Sequence, residues 1–209
     1  MGVNIGALTQ TMREIVGLYG GYLSLRKLAN NTRYSYHTVG KAVEYLKNAH
    51  VLDYVLALRI KGGNATGDLK SHRRMYFLDP LVLYAATMDI FGIYNYRSIQ
   101  SIWQTNTNRR LNLIASLLYN HLRRWGRSGV YYIRRGERTL DFIAFGEKNV
   151  IALEIYPKKK KHSGIFMLGG RILGKKVVKI IVTEDELILH GDVYFIPYPI
   201  FLLALEQLL

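Results

Sequence analysis

Apolar residues recur at helical spacing from Ile5 to Leu18, at Ile5, Leu8, Met12, Ile15 and Val16, and Gly20-Gly21 stops the run. Ser24 is placed to cap a short helix to Asn30, with Leu25 and Leu28 turned inward. Ser35 opens a longer helix, Tyr36 to Ala49, whose apolar stripe is Val39, Val43 and Leu46. Only Thr32-Arg33-Tyr34 separates the two, a turn of helix-turn-helix length. Two strand-like runs, Val51 to Ile60 and Arg73 to Leu78, flank a polar loop over residues 61–68 with three glycines, which predicts a hairpin. Asp79-Pro80 then starts a helix, Leu81 to Asp89.

Phe91 to Arg110 is polar and weakly periodic, and is read as a connector. Leu111 to Arg124 is a strong helix. Strands are predicted at Tyr131–Ile133, Leu140–Phe145, Val150–Tyr156 and Val177–Val182, the last after a glycine-rich stretch with room for a short helix. Val193 to Ile196 and Phe201 to Leu209 read as a closing strand and helix. The expected fold class is α/β (α+β). A winged helix-turn-helix over residues 1–90 and a connector over 91–110 precede a mixed-sheet domain over 111–209.

Charge directs this frame towards a partner. Lys and Arg number 29 against 15 Asp and Glu, a net charge of +14, and such an excess suits a polyanion. No run is long and apolar enough to span a bilayer and no signal peptide is visible, so duplex DNA is favoured over membrane and a cytoplasmic location is expected. The absence of cysteine excludes disulfides and thiolate metal sites, and the six histidines show no paired ligand spacing. In a helix-turn-helix the second helix enters the major groove by its N-terminal end. The expected nucleic-acid contacts are therefore Ser35, Tyr36, His37, Thr38 and Lys41, with Lys61, Lys70, Arg73 and Arg74 from the wing. Arg134, Arg135, Lys158, Lys159 and Lys160 add basic contacts in the second half.

Metal-dependent nucleases need carboxylates to hold Mg²⁺ and a lysine near the attacking water. Asp141 begins one strand and Glu154 lies on the next, in the frame of an Asp followed by Glu-x-Lys, but Tyr156 holds the lysine position. Several strings carry a wider resemblance, from about Leu23 to the end. They are residues 25–29, 38–46, Met75-Tyr76-Phe77-Leu78-Asp79-Pro80, 117–122, Asp141-Phe142, 151–154 and the ending from Ile196-Pro197. In these the chain resembles the C-terminal half of archaeal and bacterial AAA-type ATPases. There a winged helix is followed by a restriction-endonuclease-like, PD-(D/E)XK domain.

That resemblance implies Asp141 and Glu154 as remnant catalytic and metal-binding carboxylates, with Mg²⁺ as the cofactor if the site is active. It sets the family's helical Glu at Ala115 and its Lys at Tyr156, and the ATPase phosphate loop is missing. The expectation is a DNA-binding protein whose nuclease-like domain is inactive. The alternatives are a metal-dependent endonuclease or resolvase with a rearranged site, and a protein-interaction module. A homodimer or a protein partner is compatible with each.

Overall fold

The computed structural model describes residues 4–125, 129–155, 165 and 168–208. It is a mixed α/β protein, with parallel and antiparallel strand pairs, and it divides into two compact units. One comprises Met1–Tyr54 and Ser71–Ser116, the other Val55–Lys70 and Leu117–Leu209. No helix among the described residues is long and apolar enough to cross a membrane.

The first unit opens with α1 (Ile5–Gly17), β1 (Tyr22–Leu23), α2 (Leu25–Thr32) and α3 (Tyr36–Asn48). β2 (Leu52–Lys61) starts here and runs into the second unit, β3 (Asn64–Asp68) belongs to the second, and β4 (Arg73–Phe77) returns to the first, paired antiparallel with β1. α4 (Pro80–Phe91), α5 (Tyr96–Thr105) and the first half of α6 (Thr107–Trp125) complete it. The predicted helices form where the caps allow. Ser24, Ser35 and Asp79 accept from Lys27, Thr38 and Leu81 N–H groups, and Pro80 occupies the first turn of α4, where its missing donor costs nothing.

The expected connector over 91–110 is helical instead. Asn95 caps α5 through Ser98 N–H, and Asn106 accepts from Arg109 N–H and starts α6 four residues before Leu111. α5 buries only Ile99 and Trp103, one turn apart on an otherwise polar helix, so its periodicity is too sparse to stand out. Trp103 donates to Thr87 Oγ1 at 3.2 Å and packs edge-on against Tyr19, ring centroids 5.4 Å apart.

Tyr19 is the hub of this core, against Tyr76, Phe77 and Trp103, and its hydroxyl accepts from Phe77 N–H. Burial pushes its phenol up to about 12, the hydrogen bonds to Ser116 and Phe77 opposing. The unfolded chain releases this proton near pH 10 and the folded chain holds it to about pH 12, so the associated stability is complete below pH 10 and is lost as pH climbs through 12. The loss is expected to be about 2–3 kcal/mol. Urea unfolding of the wild type against Tyr19→Phe between these pH values checks it; equal pH slopes would reject it.

The second unit continues with β5 (Val130–Arg135), β6 (Arg138–Phe145), β7 (Asn149–Ile155), β8 (Arg171–Ile172), β9 (Lys175–Thr183), β10 (Ile188–His190), β11 (Val193–Pro197) and α7 (Tyr198–Leu208). Its sheet runs β2-β5-β6-β7-β9-β11-β10; β7, β9 and β11 are mutually parallel, and β5-β6-β7 form an antiparallel meander. One sheet face carries a core of Ile143, Phe145, Val150, Ala152, Val177, Ile181 and Val193. On the other, Tyr119 of α6 stacks on Phe142, ring centroids 6.2 Å apart.

Two short strands were not anticipated. β8 folds back on β9 through Leu173-Gly174, both at positive φ, so residues 168–174 hold a hairpin where a short helix had room; the rest of that stretch lies outside the described residues. β10 pairs antiparallel with β11. The wing differs too. Gly62 and Gly63 both have positive φ, the backbone of a two-residue hairpin turn, so Asn64–Asp68 is a strand paired with β2, not a loop.

Candidate nucleic-acid interface

α2 ends at Thr32, Arg33 takes the left-handed conformation at φ 60°, and Ser35 caps α3, so the two helices are separated by three residues. Leu25, Leu28, Ala29 and Thr32 of α2 and Val39, Ala42, Val43 and Leu46 of α3 are buried. Both helices pack on α1, whose Ala7, Thr11, Ile15 and Val16 are buried. The inward stripe of α3 fixes its outward one: Tyr36, His37, Lys41, Tyr45 and Asn48 are exposed. Glu44, the one acid on this helix, is exposed too, its Oε1 accepting from Tyr54 Oη at 3.0 Å.

The five residues expected to lead α3 into a groove do stand together, with two roles among them. Tyr36, His37 and Lys41 point outward. The Ser35 hydroxyl caps Thr38 N–H at 3.1 Å and lies 2.8 Å from Thr38 Oγ1, so these two residues set the helix start. Tyr45, nearly half exposed and one turn beyond Lys41, was missed; the i, i+4 spacing from Lys41 was the available signal.

Of the residues expected in a wing, Lys61 is exposed at the end of β2 and Lys70 in the turn after β3. Arg73 and Arg74 belong to the first unit and are not presented as expected. Arg74 is only 6% exposed, its guanidinium 5.5 and 5.6 Å from the Tyr22 and Tyr76 ring centres. Arg73 is half-buried over Tyr54. Cation–π packing on three tyrosines has drawn both inward, which removes Arg74 from any phosphate contact.

Within the second unit, β2 and β5 pair in parallel only at Leu56↔Tyr131 and Ala57↔Tyr132. Beyond that point a cleft of about 240 Å³ opens, lined by Leu58, Ile60, Ile133, Arg134 and Arg135. Arg59 is exposed on β2 beside it and was not singled out by sequence. At the tip of the β5–β6 hairpin Arg135 sits directly opposite Arg138. Like charges in a cross-strand pair are destabilising, a local cost that an anion would relieve. Tyr131 and Tyr132 are not available for base stacking: Tyr132 is buried, and Tyr131 packs edge-on against Phe145 with its hydroxyl donating to Ala65 O. Lys158, Lys159, Lys160 and Tyr156 lie outside the described residues.

The remnant carboxylates are neighbours. Phe142 pairs with Leu153, so the next step of the same register sets Asp141 beside Glu154. Asp141 is 8% and Glu154 1% exposed. Asp141 Oδ2 accepts from Ile155 N–H at 2.9 Å, tying β6 to β7, and Glu154 Oε2 accepts from Ile165 N–H at 3.2 Å. Ala115, at the resemblance's helical Glu position, is buried in α6. Among the described residues no group of three His, Asp or Glu is arranged to hold a metal. A Mg²⁺ site takes hard oxygens; one oxygen of each of these two buried carboxylates is occupied by a backbone N–H.

No family model, curated protein or solved structure matches the chain.

Proposed function

We propose that this chain is a duplex-DNA-binding protein with a winged helix-turn-helix, α2 and α3 followed in sequence by the β2–β3 hairpin. Its second unit is a restriction-endonuclease-like domain that grips DNA without cutting it. The observation that carries the reading is the outer face of α3: Tyr36, His37, Lys41 and Tyr45 exposed together behind a capped N-terminus. The opposed Arg135 and Arg138, with Arg59 and Lys61 on the neighbouring hairpin, give the second unit its phosphate-binding character.

Mobility shift against duplex DNA at two salt concentrations tests this. Tight binding should fall steeply with salt, in proportion to the phosphates neutralised; salt-insensitive or absent binding rejects it. The adjacency of Asp141 and Glu154 favours a metal-dependent nuclease as the second reading. Plasmid and branched DNA incubated with Mg²⁺ or Mn²⁺ are expected to stay intact. Asp141→Ala should instead lower stability by about 1–3 kcal/mol, since the buried Ile155 N–H loses its acceptor. Cleavage that Asp141→Ala abolishes would replace the binding reading with the nuclease one.

A further inference from the structure

The charge of this chain is strongly asymmetric. From Ile180 to Leu209 there are five acids and no Lys or Arg, in a protein of net charge +14. Three of the acids are consecutive, Glu184-Asp185-Glu186; a fourth, Asp192, follows β10 and is ion-paired with Lys179 at 2.8 Å. The turn that carries the triplet is fixed by backbone: Thr183 Oγ1 donates to Glu186 O and accepts from Glu186 N–H.

This acidic segment leads into an open sheet edge. β10 ends the strand order, paired with β11 on one side, and no described strand pairs with the other. Proteins normally blunt such an edge with Lys, Pro or a bulge; here Leu187, Ile188 and Leu189 are 65%, 57% and 59% exposed in succession. Leu189 pairs with Tyr194, and Tyr194 with Ile180, so the three share a face. That face holds a groove of about 520 Å³, lined also by Val178, Ile196, Lys176 and the Lys179-paired Asp192. An exposed edge supplies main-chain hydrogen bonds, an adjoining groove takes alternate apolar side chains, and the flanking carboxylates select the charge of what binds.

We propose that β10 is a docking edge for an extended, Lys- or Arg-bearing apolar segment of another protein, added to the sheet as a further strand. Nucleic acid is unsuited to it, because the carboxylates repel phosphate. A second copy would bring a further acidic turn to the edge in place of a cationic segment, and is an outcome of the test. The proposal stands or falls without the DNA contacts proposed above.

The test uses the full chain and a fluorescent peptide of four Lys-Val repeats, with a Glu-Val peptide of equal length as control. The Lys-Val peptide should bind saturably at low salt and slow amide exchange at Ile188–His190. Asp185→Lys with Glu186→Lys, both exposed positions, should weaken it about tenfold while leaving circular dichroism unchanged. Absent binding, equal binding of both peptides, or protection elsewhere overturns the proposal. So does a concentration-dependent dimer that protects the same amides.

Discussion

A chain carrying Tyr36→Ala, His37→Ala and Lys41→Ala together is expected to lose about two orders of magnitude in duplex-DNA affinity, each contact contributing about 1–3 kcal/mol without strict additivity. Its melting temperature should not fall. All three side chains lie on the outer stripe of α3, and the stripe that holds the helix to α1 and α2 is untouched. Residual binding should keep a steep salt dependence, because the exposed Arg59, Lys61, Arg135 and Arg138 are unchanged. Anisotropy titrations with thermal melts measure both; unchanged affinity in a folded variant rejects α3 as the reading helix. Ser35→Ala gives the contrast. It removes the cap on Thr38 N–H and should cost about 1 kcal/mol of stability.

Gly20→Ala is expected to be the most destabilising single substitution among the turns, at about 2–4 kcal/mol. Two costs combine. Gly20 has φ 79°, a conformation that an L side chain pays to adopt, and a Cβ there would overlap the Asn112 side-chain amide. Asn112 cannot step aside freely, because its Nδ2 donates to Tyr19 O at 2.9 Å. Either the overlap persists or this bond breaks. Asn112→Ala in the Gly20→Ala background should restore part of the loss by emptying the space, leaving the backbone strain in place. Chemical denaturation of the two single variants and the double measures the coupling, and strictly additive losses would reject the contact.

How legible these features were depends on how local their causes are. Caps and stripes were readable: Ser24, Ser35 and Asp79 each satisfy an N–H two or three residues on, and Val39, Val43 and Leu46 recur at helical spacing. The strands around Asp141 and Glu154 were readable as near-continuous apolar runs, and they are buried along most of their length. α5 was not, because the partners that make Ile99 and Trp103 core residues lie elsewhere in the chain, Tyr19 and Thr87 among them. β3 was missed because three glycines suggest a loop, while the hairpin needed only two of them for its turn and seats the third, Gly67, against Leu56.

By itself the sequence determined the mixed α/β class, the capped helix pair with its three-residue turn, and the basic balance of charge. It determined too that Tyr156 and Ala115 stand where the resemblance expects Lys and Glu. Only the tertiary structure decided which charges face outward. Arginines that look alike in sequence part company: Arg74 is held among tyrosine rings, while Arg135 is forced against Arg138 at an exposed hairpin tip. Likewise Asp141 and Glu154 are brought side by side but covered, each accepting from a backbone N–H. Burial and partner choice are set by segments distant in the chain, and no local pattern encodes them.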